Sequence, residues 1–276
     1  AEGHRVFPQV TPRPLNFEYQ MAAPFLFEPF SVMKSVAAAD ADGKKNIYAD
    51  PEFRKAFADR IEGARHEFKG AFAKTVISQH QKDGELDERA LADVARERGT
   101  SPVELMLDLA LETDLQTRFR MPVANHDEDE VEPLLKSSAT VLGLSDAGAH
   151  ASQLCDACLP TYFLGRWVRE KQSFTVEEAV RMLTSRPADV AGISDRGLLA
   201  KGWPADIVVF DPETVGAGKL ERVYDFPAGA DRLIAREQGI RAVVVNGTIL
   251  RDNGDEAISP DGELPGSVLR NGHTAA

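Results

Sequence analysis

The residues that are the best candidates for catalysis or ligand binding lie in the segment 143–150 (GLSDAGAH). An apolar stretch ends there in the carboxylate of Asp146, and the small residues that follow would let a ligand approach the backbone closely. Catalytic groups of a parallel barrel sit where its strands end, so Asp146 could be a metal ligand or a general base. It could equally cap the turn that follows. Spacing alone leaves these alternatives open.

Three further side chains of chemical interest, His150, Cys155 and Cys158, follow closely. A structural zinc site needs four ligands, usually as two close pairs, and the chain has no second Cys or His pair. A redox role for Cys155-x-x-Cys158 would call for a strand-to-helix junction of the thioredoxin type, which the flanking sequence does not resemble. The sequence therefore favours two buried cysteines that act as small apolar side chains. So few cysteines also predict a reducing, cytoplasmic location.

The elements that must position Asp146 alternate between strands and helices. Strands are predicted at 5–11, 74–78, 117–121 and 140–145, and helices at 51–68, 88–98, 102–112, 128–137, 160–170 and 176–185. Capping boxes that begin at Ser101 and Thr175 support two of the helix starts. Such alternation is typical of a parallel α/β sheet. Residues 1–50 are rich in Pro and Phe and are otherwise predicted to form an irregular loop packed by its aromatic side chains.

Beyond residue 197 the pattern changes to glycines, prolines and short β runs. A strand is predicted at 206–210 and a hairpin at 242–250, which turns at Asn246 and Gly247. Asn-Gly is the dipeptide favoured in type I′ turns, because both of its residues tolerate a positive φ. These features predict a separate, mainly β region at the end of the chain.

Composition excludes several function classes. The 276 residues contain 32 Lys and Arg against 44 Asp and Glu, a formal charge of −12. An acidic chain of this kind is a poor candidate for binding nucleic acid or anionic lipid through a basic surface. The 43% of hydrophobic and 28% of charged residues are ordinary for a globular protein. Apolar runs are only strand-sized, so a membrane-spanning segment is not expected.

Three segments resemble the amidohydrolase superfamily, and within it the N-acyl-D-amino-acid deacylases, also called D-aminoacylases. They are 143–150 (GLSDAGAH), 174–188 (FTVEEAVRMLTSRPA) and 195–211 (DRGLLAKGWPADIVVFD). Shorter matches at 225–229, 245–248 and 264–270 extend the resemblance almost to the end of the chain. The resemblance is specific from about residue 117 onward.

The resemblance implies an α/β fold in which a TIM-like (β/α)₈ barrel is joined to a small β-sandwich. It also implies hydrolysis of an amide bond with the help of zinc, which activates a water molecule. Asp146 then corresponds to the Asp at the end of the eighth strand, which takes the proton of that water and can touch the metal. His150 would lie beside it as a substrate-binding residue.

The resemblance covers only the C-terminal portion of such a barrel. A full barrel takes about 250 residues, whereas 139 residues precede the predicted strand at 140–145. The family's His-x-His and later metal-binding histidines are absent from the sequence. The strand at 5–11 then corresponds to the seventh strand, and Arg13 after it becomes a candidate for binding a substrate carboxylate, with a surface arginine as the alternative.

The resemblance therefore predicts a partial barrel at 1–197, with an insertion at about 15–115, and part of a β-sandwich at 198–276. We expect a metal-dependent hydrolase of C–N bonds that acts on an N-acyl amino acid or a related amide. Zinc would need ligands from outside the chain, and self-association or a second chain would complete the barrel. Two alternatives stay open: a non-catalytic or truncated chain that needs a partner, and another amidohydrolase activity, such as that of a cyclic amidase or a deaminase.

Overall fold

The computed structural model describes residues 6–143, 146, 148–155, 157–259 and 261–269. Its strands are β1 (Gln9–Val10), β2 (Leu15–Gln20), β3 (Val76–Gln79), β4 (Arg89–Ala90), β5 (Arg118–Ala124), β6 (Val141–Leu142), β7 (Ile207–Phe210), β8 (Gly216–Val223), β9 (Arg232–Gln238), β10 (Ile240–Val245), β11 (Thr248–Asp252) and β12 (Asp255–Glu256). The predicted strands 5–11 and 140–145 include Arg5, Leu144 and Ser145, which lie outside the described residues.

The helices are α1 (Lys34–Ala37), α2 (Ala41–Ala49), α3 (Pro51–Glu62), α4 (His66–Ala73), α5 (Leu91–Glu97), α6 (Pro102–Glu112), α7 (Glu128–Lys136), α8 (Leu159–Tyr162), α9 (Val176–Leu183) and α10 (Ser185–Ala191). A π-helical segment, Phe163–Glu170, continues α8 directly. No helix in the described part of the chain is long and apolar enough to cross a membrane.

The chain divides into two compact units. The first comprises Ala1–Arg13, Asp127–Ala151 and Cys155–Ala276, and the second comprises Pro14–His126 with Ser152–Leu154. The first unit contains Asp146, His150 and Arg13, the three residues singled out by the sequence.

In the second unit, helices pack on a four-stranded sheet of order β2-β5-β3-β4. Phe27 is fully buried at the centre of its aromatic core, with ring centroids 5.3 Å from Phe57 and 5.4 Å from Tyr19. Tyr48 is also fully buried, and its hydroxyl donates to the carbonyl oxygen of Met21 at 2.8 Å. The second unit therefore has a core of its own.

Two predictions for this unit are wrong. Residues 1–50 are not one irregular loop, since they contain β2 and the nine-residue helix α2, whose start is capped by the side chain of Asp40. The single helix predicted at 51–68 is two helices, because α3 ends at Gly63 and α4 starts after Arg65. Glycine is a frequent helix terminator, and the apolar spacing that continues past it concealed the break.

The strands of this unit are also antiparallel rather than parallel. β5 pairs antiparallel with both β2 and β3, and β3 pairs antiparallel with β4. The prediction that the strand at 117–121 belongs to a parallel sheet is therefore wrong. Two helices, α5 and α6, lie between β4 and β5, whereas the crossover between parallel strands usually contains one.

The first unit has a parallel pair of strands and a β region. β1 pairs with β6 in parallel, in the register Gln9 with Val141 and Val10 with Leu142. The core beside this pair contains the fully buried side chains of Phe163 and Trp167. The predicted helices 128–137 and 160–170 are confirmed with small shifts of their ends.

The C-terminal β region consists of a sheet of order β12-β11-β10-β7 and a two-stranded ribbon of β8 and β9. The predicted hairpin is confirmed by β10 and β11, which turn through Asn246 at φ 47° and Gly247 at φ 81°. Positive φ values at both positions are those that a type I′ turn requires.

Candidate functional site

The candidate site begins with the ends of the two parallel strands. The N–H of Val141 donates to the carbonyl oxygen of Pro8 at 3.0 Å, and the N–H of Gly143 donates to that of Val10 at 3.1 Å. Because the strands run in the same direction, the segments after their carboxyl ends emerge at the same edge of the pair. Arg13 follows β1 and Asp146 follows β6, so both candidates come from that edge.

Asp146 lies in a turn with left-handed backbone. Its φ is 47°, a conformation that Asp tolerates better than most residues, and its carbonyl oxygen accepts the N–H of Ala149 at 2.9 Å. The side chain is half-buried, and its carboxylate makes no hydrogen bond to another residue that the structure describes. The backbone, rather than the carboxylate, therefore holds the turn, which leaves the carboxylate available for chemistry.

His150 follows this turn directly. It also has a positive φ, 45°, and it is exposed. The structure thus keeps His150 in the segment that carries Asp146, four residues further along the chain. Its assignment to substrate binding stays a prediction.

Arg13 is buried, with 8% of its surface exposed, so the alternative of a surface arginine is wrong. Its Nη1 donates to the carbonyl oxygen of Cys155 and, at 2.9 Å, to the Sγ of Cys158. Its guanidinium carbon lies 5.6 Å from the centre of the Tyr162 ring, within the range of a cation–π contact. Arg13 therefore holds the segment after β6 to the segment after β1, and its binding of a substrate carboxylate stays a prediction.

Two residues that the sequence did not single out support this edge. The indole Nε1 of Trp167, which is fully buried, donates to the carbonyl oxygen of Pro12 at 2.5 Å, next to Arg13 in the chain. Tyr162 lies under Arg13, and burial raises the pKa of its hydroxyl. The spacing of Phe163 and Trp167, four residues apart on a helical segment, was the available signal for a buried face.

An ion pair links α7 to the π-helical segment in the same unit. Arg166 donates to both carboxylate oxygens of Glu128, at 2.9 Å and 2.8 Å. This hydrogen bonding lowers the pKa of Glu128, and the nearby charge of Lys171 contributes in the same direction. Glu128 belongs to the acidic run at the start of α7, where negative charge also complements the helix dipole.

The described residues contain no group of three or more His, Cys, Asp or Glu side chains arranged to hold a metal ion. Zinc at a catalytic site usually has three protein ligands. The residues that the structure describes therefore do not form a zinc site by themselves. Asp146 could contribute one oxygen ligand to a site whose other ligands come from elsewhere.

Two concavities are lined by residues other than those that follow the carboxyl ends of β1 and β6. One, of about 360 Å³, is lined by Thr140 and Val141 at the amino-terminal end of β6, with residues of α7 and α9. The other, of about 380 Å³, lies in the second unit beside α6. Since barrel chemistry takes place at the carboxyl ends of the strands, neither concavity is the candidate site.

Comparison with known proteins identifies relatives of the chain. A model described as "Amidohydrolase family" matches residues 40–251. An N-acyl-D-glutamate deacylase of Alcaligenes xylosoxydans xylosoxydans is 36% identical over 149 residues, which cover 52% of this chain and 27% of the relative. A D-aminoacylase of the same organism is 32% identical over 176 residues, which cover 63% of this chain and 33% of the relative.

Among solved structures, an N-acyl-D-glutamate deacylase from Bordetella bronchiseptica, complexed with zinc and a phosphonate inhibitor, matches with a TM-score of 0.48 and 25% identity. That match covers 98% of this chain and 43% of the solved one. The chain spans about a third of the length of the two curated Alcaligenes relatives. Because the family model matches most of its residues, the chain belongs to the amidohydrolase family and is similar to the D-aminoacylases.

Proposed function

We propose that this chain is the C-terminal portion of a metal-dependent hydrolase that removes the acyl group from an N-acyl-D-amino acid. The observation that carries the proposal is the parallel pair of β1 and β6, from whose common edge Arg13 and Asp146 emerge. A two-stranded parallel sheet is rarely stable alone, since parallel strands are normally buried within larger sheets. The pair is therefore interpreted as the seventh and eighth strands of a TIM-like barrel.

The remaining regions fit this arrangement. Residues 1–197 would form the partial barrel, with the insertion at about 15–115 contained in the second unit. Residues 198–276 would form part of the β-sandwich, in which β7 and the hairpin of β10 and β11 lie. The names of the relatives, N-acyl-D-glutamate deacylase and D-aminoacylase, support the substrate class.

In the proposed reaction Asp146 accepts a proton from the attacking water and passes it to the leaving nitrogen. A half-buried carboxylate with no hydrogen bond to another described residue can take this role without breaking a structural contact. His150, four residues after Asp146, would contact the substrate, and the guanidinium of Arg13 would bind its carboxylate.

Zinc would be the cofactor of the complete enzyme, with most of its ligands supplied from outside this chain. The absence of a three-ligand group among the described residues supports a second candidate function, in which the isolated chain is not catalytic. Both candidate functions require association, either with a further segment of polypeptide or with another chain. The open edges of β1 and β6 are where additional strands would pair.

The test compares the isolated chain with a completed one. The isolated chain, supplied with zinc, should not hydrolyse N-acyl-D-amino acids, and the chain joined to a segment that supplies the other barrel strands should hydrolyse them. The matching N-acyl-L-amino acids serve as the control substrates. Hydrolysis by the isolated chain, or none by a folded, zinc-loaded complete protein, would contradict the proposal.

A further inference from the structure

We propose that Cys155 and Cys158 form a redox-active thiol pair, and that its oxidation to a disulfide removes a thiol partner of Arg13. Both cysteines are present as thiols, Cys155 half-buried and Cys158 buried with 7% of its surface exposed. The sequence favoured two buried, apolar cysteines. The polar surroundings of the pair support a different conclusion, which does not depend on the proposed hydrolase activity.

Cys158 lies three positions after Cys155, the Cys-x-x-Cys spacing of many thiol–disulfide pairs. The Sγ of Cys158 lies 3.8 Å from the carbonyl oxygen of Cys155, and Cys158 immediately precedes α8. The same Nη1 of Arg13 contacts that carbonyl oxygen and the Sγ of Cys158.

The charges around the pair favour thiolate, the nucleophilic form of cysteine. The guanidinium of Arg13 lies 2.9 Å from the Sγ of Cys158, close enough to stabilise a negative charge there. Near Cys155 lies Arg232, whose pKa is raised mainly by its hydrogen bonds to Asp225 and slightly by the charge of Cys155. Tyr162 contacts Arg13 and Asp225 pairs with Arg232, whereas Asp156, between the two cysteines, lies outside the described residues.

A low-molecular-weight disulfide such as glutathione disulfide would serve as oxidant. The thiolate of Cys155, which is the more accessible, attacks one sulfur of the oxidant, forms a mixed disulfide and releases one glutathione thiolate. The thiolate of Cys158 then attacks the Sγ of Cys155, forms the Cys155–Cys158 bond and releases the second glutathione thiolate. The two protons of the cysteine thiols pass to the two released thiolates, so that one disulfide is reduced as the other forms.

Mass spectrometry tests the bond directly. The reduced, folded chain is incubated with glutathione and glutathione disulfide at neutral pH, and the remaining thiols are then alkylated. The proposal predicts an unalkylated species whose mass is about 2 Da below that of the reduced chain. The Cys158→Ser variant should instead stop at a mixed disulfide on Cys155. Two alkylated thiols in the wild type, or a stable mixed disulfide there, would overturn the proposal.

The activation of Cys158 has a separate test in the Cys155→Ser variant, where Cys158 is the sole thiol. The ultraviolet absorbance of the thiolate should show about tenfold more thiolate at neutral pH in the folded variant than in the same chain in denaturant, because the guanidinium of Arg13 favours the charged form. Adding Arg13→Lys should keep most of this difference, and adding Arg13→Gln should remove it. Equal thiolate fractions in the folded and denatured Cys155→Ser chains would contradict the activation, whether or not the Arg13 variants fold.

Discussion

Replacement of Trp167 by Phe should destabilise the first unit strongly, since this side chain joins its core to the end of β1. Trp167 is fully buried and donates to the carbonyl oxygen of Pro12. Phe would leave a cavity of about 40 Å³, which costs about 1 kcal/mol. The loss of the donor to a buried carbonyl adds about 1–3 kcal/mol. We therefore expect the free energy of unfolding to fall by about 2–4 kcal/mol.

Urea denaturation followed by far-ultraviolet circular dichroism measures this loss. Trp203→Phe is the matched control, because Trp203 is half-buried and is the other tryptophan of the chain. The control should change stability by less than about 1 kcal/mol. A loss below about 1 kcal/mol for Trp167→Phe, with an unchanged denaturant slope, would show that the indole does not hold the end of β1.

Three further outcomes follow from local geometry. The Glu128→Gln variant should lose about 1 kcal/mol less stability on acidification than the wild type. The pKa of Glu128 is lowered in the folded state, so its ion pair stabilises the fold at neutral pH and this contribution is lost as the pH falls through that pKa. Denaturation at several pH values measures the difference, with the exposed Glu130→Gln as control. Gly239→Ala should lower the free energy of unfolding, measured in denaturant, by at least about 2 kcal/mol, because the new Cβ would lie 2.5 Å from the backbone N of Val215. The control Gly229→Ala places its Cβ in open space and should lower it by about 1 kcal/mol. The isolated chain should retain less than one zinc per molecule by elemental analysis after dialysis against a weak chelator; a stoichiometric zinc would contradict the ligand count.

Local signals predicted the regular elements of this chain well where they were strong. Asn246-Gly247 predicted the hairpin of β10 and β11, and the capping box at Thr175 predicted the start of α9. β2 was missed in a region whose prolines and phenylalanines suggested a loop, although Tyr19 and Met21 alternate into the core there. The direction of pairing in the second unit depends on contacts between distant residues, which periodicity does not encode.

The candidate site was predictable in part. The position of Asp146 after an apolar strand was visible in the sequence. The position of Arg13 after the neighbouring strand became visible once the family resemblance was recognised. The burial of Arg13 and its bonds to Cys155 and Cys158 were not visible, because residues more than 140 positions apart meet only in the fold. The same contact supports the proposal that these two cysteines are redox-active rather than buried, apolar side chains.

The most direct test of the proposed function is the Asp146→Asn variant of the complete enzyme, assayed for turnover of an N-acyl-D-amino acid. Asn keeps the size and polarity of Asp and caps a turn about as well, but it cannot act as a base. We expect kcat to fall by about 10²–10⁴-fold while circular dichroism and the unfolding midpoint stay unchanged. Near-normal turnover by the folded Asn variant would contradict the catalytic role of Asp146 and leave it as a structural residue.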